Sequence, residues 1–170
     1  MEIRDLGTFL EYWESVFART TRLLRVLPPE HIEWTHAEGR WTIGDIARHL
    51  VNIERDMYAE TVAGRPSRYA GHGRSYADGY EAVMAFRAAR HAESMAIFAL
   101  LTPERLAGKS VTPAGTPITT WKWLRAMVEH EAHHRGQLYL MLGMLGVRTP
   151  PIYGLTEEEV AARAHRAVTD

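Results

Sequence analysis

Two histidines one helical turn apart are the strongest chemical signal in this sequence. They are His130 and His134, and they lie in a proline-free, largely apolar stretch from Trp121 to Leu145. Large apolar residues recur in this stretch at helical spacing, which predicts one buried helix. Because residues four apart leave the same face of a helix, the two imidazoles can converge on one metal ion. The spacing therefore indicates part of a metal site.

The rotation of the helix separates these residues from a third histidine, His133. At about 100° of rotation per residue, His134 shares the buried seam of Met127 and Leu138. His130 falls at the edge of that seam, and His133 points roughly 100° away from His134, toward the polar side. We therefore expect His130 and His134 to be ligands, and His133 to meet solvent or to form hydrogen bonds around the site.

A third ligand is needed, because zinc and similar ions normally take at least three protein ligands. The best candidate is His49, which follows a predicted helix start at Thr42. Thr42 and Asp45 have the spacing of a capping box. The apolar stripe after this start consists of Ile46, Leu50, Ile53 and Met57. His49 lies along its margin, so we expect His49 to complete the site.

These two segments together resemble the DinB/YfiT-like superfamily. They read Trp41-Thr42-Ile43-Gly44-Asp45-Ile46-Ala47-Arg48-His49-Leu50 and His130-Glu131-Ala132-His133-His134-Arg135-Gly136-Gln137. The resemblance covers the chain from its first helix to about Leu145. It implies a four-helix bundle whose divalent ion, zinc or nickel, is held by His49, His130 and His134. Members of the superfamily include thiol-dependent transferases and isomerases, so the resemblance fixes the site better than the substrate.

Periodicity elsewhere predicts an all-α bundle with a long crossover. We expect helices over residues 6–27, 43–63, 80–101 and 120–145, and an exposed crossover over residues 65–79. Residues 109–119 predict a short hairpin-like loop. Thr156 and Glu159 have capping-box spacing, which predicts a short C-terminal helix. Residues 1–170 are expected to form a single domain.

Three polar residues fall on inward faces of the predicted helices. Glu54 lies on the second helix, and Arg87 and His91 lie on the third. They could line a substrate pocket, in which Arg87 and His91 would bind a substrate carboxylate. The alternative is structural, with Glu54 in a buried ion pair, Arg87 reaching outward and His91 in the core. The sequence leaves both interpretations open.

Composition limits the partners and the chemistry. A chain of 170 residues with 46% hydrophobic content can bury one core, and its net charge of −1 argues against nucleic-acid binding. There is no cysteine, so the protein supplies no thiolate ligand or nucleophile. A charged N-terminal segment and the lack of an apolar run of roughly 18 residues favour the cytoplasm over a membrane. We expect a small-molecule substrate, and a homodimer is an open alternative to a monomer.

Three neutral imidazoles leave a bound divalent ion its full double charge. Such an ion can lower the pKa of bound water to about 7, as in carbonic anhydrase, or bind a substrate thiolate. Because the chain has no cysteine and resembles this superfamily, the expected reaction is a transfer or isomerisation that uses a small cellular thiol as co-substrate. Hydrolysis by metal-bound water is nearly as well supported.

The same residues also match the His-Glu-x-x-His pattern of zinc proteases, with Glu131 as general base between His130 and His134. Such proteases usually take a third ligand downstream, yet the only later histidine is His165. Glu131 is more consistent with an acceptor that orients a ligand imidazole, although a base role stays open. A non-catalytic bundle that binds metal or dimerises is a further alternative.

Overall fold

The computed structural model describes residues 2–169, with side chains described through residue 164. Its helices are Leu6–Leu24 (α1), Ile43–Ile53 (α2), Glu60–Val62 (α3), Tyr80–Phe98 (α4), Pro103–Ala107 (α5), Thr120–Met144 (α6) and Glu157–Thr169 (α7). A π-helical segment, Glu54–Ala59, joins α2 to α3, and a 3₁₀ turn covers Pro29–His31. Strands Lys109–Val111 (β1) and Pro117–Thr119 (β2) pair antiparallel, as the hairpin-like pattern predicts.

Four long helical rods form the bundle. The first is α1, the second runs from α2 through the π-helical segment to α3, the third is α4 and the fourth is α6. Helix α1 packs against α6, and α2 packs against both α4 and α6. Apolar residues on the inward faces form two core clusters, one around Leu24, Leu50 and Leu138, the other around Trp13 and Leu124. Full burial of each such side chain contributes about 1.5–3 kcal/mol. The predicted all-α four-helix bundle is confirmed.

Several helix ends differ from the prediction. Helices α1 and α4 end three residues before the predicted Leu27 and Leu101, because their last residues form tighter turns instead. The amide of Leu27 donates to the carbonyl of Leu24, and the amide of Leu101 donates to that of Phe98. The short α5 is not among the predicted helices, and Pro103 is its first residue. Thr102 is its N-cap.

The second rod departs from a regular α-helix at the π-helical segment Glu54–Ala59. A wider turn changes the rotation per residue and shifts the buried face. Tyr58 is therefore buried, whereas Met57 of the predicted stripe is only half-buried. The prediction of one uninterrupted helix with a constant face is wrong at this point, since sequence periodicity assumes a constant rotation.

A buried arginine fastens the crossover to the bundle. Arg48 forms ion pairs with Glu33 and Asp45, at 2.6 and 2.7 Å. Its guanidinium also donates to the backbone carbonyls of His72, at 2.8 Å, and Ala77, at 3.0 Å. One side chain of α2 thus binds both the loop before α2 and the crossover, and it holds them beside His49.

In the part of the chain that the structure describes, no helix combines the length and the apolar character needed to cross a membrane.

Candidate metal centre

The structure brings His49, His130 and His134 together. Nε2 of His130 lies 3.1 Å from Nε2 of His49 and 3.1 Å from Nε2 of His134. One nitrogen from each ring lies within 4.8 Å of the others. Helix α6 supplies two of the rings at one-turn spacing, and α2 supplies the third. The capping box at Thr42 is present and fixes where α2 begins.

Burial keeps the three rings neutral. Desolvation, followed by the neighbouring imidazoles, lowers the pKa of His49 to about 3 and that of His130 to about 4. Desolvation also lowers the pKa of His134, although its hydrogen bond with Gln137 partly opposes this. A neutral imidazole has a nitrogen lone pair available for a metal ion. The cluster is therefore in the protonation state that a metal ligand requires.

The outer nitrogens of two rings are already hydrogen-bonded. Nδ1 of His134 lies 2.6 Å from the side-chain oxygen of Gln137, which can only accept a hydrogen bond. The proton of His134 is therefore on Nδ1, and the lone pair of Nε2 faces the cluster. Nδ1 of His49 lies 2.6 Å from the hydroxyl of Tyr69, which lies 3.4 Å from Nδ1 of His72. This hydroxyl can accept from His49 and donate to His72. Such partners are typical around metal-binding histidines, so the donor set fits a divalent ion.

The indole of Trp41 covers one side of the cluster. Its ring centroid lies 4.8 Å from that of His49, 4.0 Å from that of His72 and 5.9 Å from that of His134. The indole and the His134 ring are nearly parallel, at 14°. Trp41 thus separates part of the site from solvent.

Sequence reasoning gave no role to Tyr69, His72, Gln137 or Trp41. For Gln137 a signal exists, because it follows His134 by three residues and so lies on a neighbouring face of the same helix. Tyr69 and His72 lie in the crossover, where no periodicity reports which way a side chain points.

His133 and His134 lie in different environments. His133 is exposed, whereas His134 is buried, in agreement with the predicted helical phase. The nitrogens of His133 are not part of the three-histidine group. The structure therefore keeps His133 beside the cluster, with its ring centroid 5.0 Å from that of His134.

Glu131 is buried in the bundle interior. Burial raises the pKa of its carboxyl, although Arg87 and Thr20 nearby partly oppose this. Among the described hydrogen bonds, none joins Glu131 to an imidazole, and its Oε1 atom has no partner. The geometry therefore gives no support to the expectation that Glu131 orients a ligand or acts as a base on the zinc-protease pattern.

Glu54, Arg87 and His91 also lie inside the bundle. Oε1 of Glu54 accepts from Nε1 of Trp13, at 3.0 Å, and lies 2.9 Å from Nδ1 of His91. The ring of His91 stacks on Phe17 with centroids 3.7 Å apart. Arg87 is buried and donates to the carbonyl of Ala47. These contacts favour the structural alternative for Glu54 and His91. Arg87 does not reach outward as that alternative expects, because it is buried, and it lines a different cavity beside Phe17 and Tyr80. None of the three residues lines the cavity beside His134.

That cavity, of about 610 Å³, opens on to His134 and Gln137. The three-histidine cluster is therefore next to a space in which a small molecule can bind.

Comparison with known proteins agrees with this architecture. The uncharacterized protein YrdA of Bacillus subtilis (strain 168) is 25% identical over 160 residues, which cover 93% of each chain. YfiT from Bacillus subtilis, described as a probable metal-dependent hydrolase with an unusual four-helix bundle topology, matches with a TM-score of 0.68 and 16% identity, over 87% of this chain and 91% of its own. The mycothiol-dependent maleylpyruvate isomerase matches with a TM-score of 0.62 and 13% identity, over 79% of this chain and 60% of its own. The sequence profile of the DinB family matches residues 2–167. Because that match spans nearly the whole chain, the protein belongs to the DinB family.

Proposed function

We propose that this protein is a metal-dependent enzyme that acts on small molecules and holds a divalent ion, zinc or nickel, with His49, His130 and His134. The observation that carries the proposal is the convergence of three neutral imidazoles on one point. When bound, the ion would supply Lewis acidity to a group of the substrate. The neighbouring cavity favours catalysis over a purely structural site, because structural sites are usually closed by four protein ligands.

The reaction we place first is a transfer or isomerisation that uses a small thiol as co-substrate. The chain has no cysteine, so the thiol must come from the solution. The name of one structural neighbour, the mycothiol-dependent isomerase, supports this class, and the description of YfiT as a hydrolase supports hydrolysis as the second. In either reaction Tyr69 and Gln137 would orient two of the imidazoles, and Trp41 would exclude water from one side. A cytoplasmic location and a homodimer stay predictions.

The first test is the metal content of protein purified without a polyhistidine tag. We expect wild-type protein to bind one ion per chain and His49→Ala to lose well over tenfold in affinity, as expected when one of three ligands is removed. Helicity should stay nearly unchanged. The matched control is His31→Ala, which removes a histidine from the 3₁₀ turn outside the cluster. Full metal content in His49→Ala would remove His49 from the ligand set.

The second test separates the two reaction classes. Cobalt is substituted into the site, and 2-mercaptoethanol is added while the visible and near-ultraviolet spectrum is recorded. Direct sulfur ligation should produce a new charge-transfer band if the thiol binds at the ion. If cobalt binds and saturating thiol leaves the spectrum unchanged, thiol transfer is wrong, and ester hydrolysis with and without chelator becomes the assay of choice.

A further inference from the structure

The cavity beside His134 has an apolar wall that is exposed to solvent. Leu140 is 62% exposed, Met144 is 55% exposed and Trp41 is 40% exposed. Leu140 and Met144 follow Gln137 on α6 at helical spacing, and Trp41 faces them from the loop before α2. Burying such side chains against a ligand is favourable, and apolar pockets with a few polar groups are the usual small-molecule sites. This wall therefore offers binding energy for an apolar body.

The polar groups of the same cavity are hydrogen-bond donors or can become donors. Arg40, His36 and Gln137 line it, and none of the described residues around it carries a carboxylate. Among the described ion pairs and hydrogen bonds, Arg40 has no side-chain partner. One lone pair of the Gln137 oxygen accepts from His134, and both amide N–H groups of Gln137 are available to donate to a ligand. An occupant that matches these groups brings acceptors, and the guanidinium favours a negatively charged one.

We propose that this groove binds an organic anion with an apolar body, such as a medium-chain or aromatic carboxylate. The body packs between Trp41 and the wall formed by Leu140 and Met144, and the charged end lies at Arg40. The volume of about 610 Å³ suits such a ligand, since small-molecule pockets span roughly 300–1,000 Å³. The inference rests on the proposed function, because it names the substrate class of the site at His134.

A second copy of the chain is a weaker candidate for the same surface. Specific dimers bury roughly 800 Å² per partner, far more than the exposed parts of three side chains supply. The charged and donor groups at one end also require a complementary anion rather than another apolar face.

The test is calorimetric titration of the purified protein with octanoate, acetate and octylammonium. Acetate shares the carboxylate of octanoate but lacks its body, and octylammonium shares the body but carries the opposite charge. We expect octanoate to bind at least about tenfold more tightly than acetate, since burying several methylene groups is worth more than about 1.4 kcal/mol. We expect the same margin over octylammonium, because its positive charge is repelled by the guanidinium of Arg40. Equal binding of acetate and octanoate would mean that the carboxylate alone is recognised and would overturn the inference. Octylammonium binding as tight as octanoate binding would overturn the role given to Arg40.

Matched variants locate the binding. Leu140→Gln and Arg40→Gln should each weaken octanoate about tenfold. The controls are Leu100→Gln, at a leucine that is 81% exposed outside the groove, and Arg148→Gln, at an exposed arginine outside it. If the groove variants bind like the controls, the inference is wrong. It is also wrong if Leu140→Gln instead converts a dimer into monomers in sedimentation.

One further variant distinguishes the failure of this inference from the failure of the proposed function. His49→Ala removes a proposed metal ligand but leaves the lining of the groove intact. We expect it to lose metal and to keep octanoate affinity within about threefold of wild type, a difference below 1 kcal/mol. Wild-type protein that binds metal normally but does not bind octanoate would overturn only the groove proposal. Wild-type protein that binds octanoate but no metal would overturn only the proposed metal centre.

Discussion

The hydroxyl of Tyr69, in the crossover, lies 2.6 Å from Nδ1 of His49, on α2. A residue of an irregular segment thus fixes the ring orientation of a residue in the bundle core. Because the two nitrogens of an imidazole are rigidly related, holding Nδ1 also aims Nε2 at His130. The crossover is therefore part of the site and not only a connection between helices.

Tyr69→Phe should weaken metal binding by about tenfold or more without unfolding the protein, as changes to partners of metal-binding histidines do. Affinity is measured by competition with a chelator, and helicity is measured in parallel. Tyr76→Phe is the control, because Tyr76 belongs to the same crossover but packs near Phe86. Equal affinities in wild type and Tyr69→Phe would show that this hydroxyl does not support the site.

His134→Ala should abolish stoichiometric metal binding, whereas His133→Ala should preserve it. The two rings are neighbours in sequence, but only His134 is buried and contributes a nitrogen to the cluster. Metal content and calorimetric affinity of both variants are compared. The opposite result would mean that the ligand set must be rebuilt around His130 and His133.

Arg48→Met should lower the free energy of unfolding by about 3–5 kcal/mol, because the largely buried carboxylates of Glu33 and Asp45 would lose their main cationic partner and two backbone carbonyls of the crossover would lose their donor. Arg48→Lys should not restore it, since one ammonium group cannot replace a planar guanidinium at several acceptors. Denaturant unfolding measures both variants. Arg125→Met, at an exposed ion pair with Glu129, should cost less than about 1 kcal/mol. A similar small loss in Arg48→Met would contradict the role given to Arg48.

His91 should make stability depend on pH. Burial disfavours the charged imidazole, but the carboxylates of Glu54 and Glu14 outweigh burial and raise the pKa of His91 above its ordinary 6.5. The stabilisation is therefore full below the unfolded-state pKa of about 6.5 and is lost as pH rises through the higher folded-state pKa. The difference in unfolding free energy between wild type and His91→Gln should be largest below about pH 6.5 and should shrink as the pH rises above it. His31→Gln serves as the control, and a difference that stays constant with pH would contradict the prediction.

Helical periodicity predicted the parts of this protein that repeat regularly. The four rods, the cap at Thr42 and the different environments of His133 and His134 follow from spacing within single helices. Contacts between elements do not follow from it. The rotation introduced by the π-helical segment and the approach of Tyr69 to His49 depend on how separate segments pack. The pairing of Glu54 with His91 was open for the same reason, since both residues were inward-facing on different helices.

The attachment of the crossover through Arg48 has a consequence for how the site opens. Residues 65–79 are held near the cluster largely by hydrogen bonds to side chains of α2, from Arg48 to the carbonyls of His72 and Ala77 and from Asn52 to that of Gly71, rather than by a helix–helix interface. A segment attached in this way can detach at a free-energy cost below that of global unfolding. In the detached state Tyr69 would leave His49 and uncover that ring, while the four helices stay packed. Exchange of ions with the solvent would then proceed at the rate of this local opening, and hydrogen exchange of the crossover amides would report the same rate.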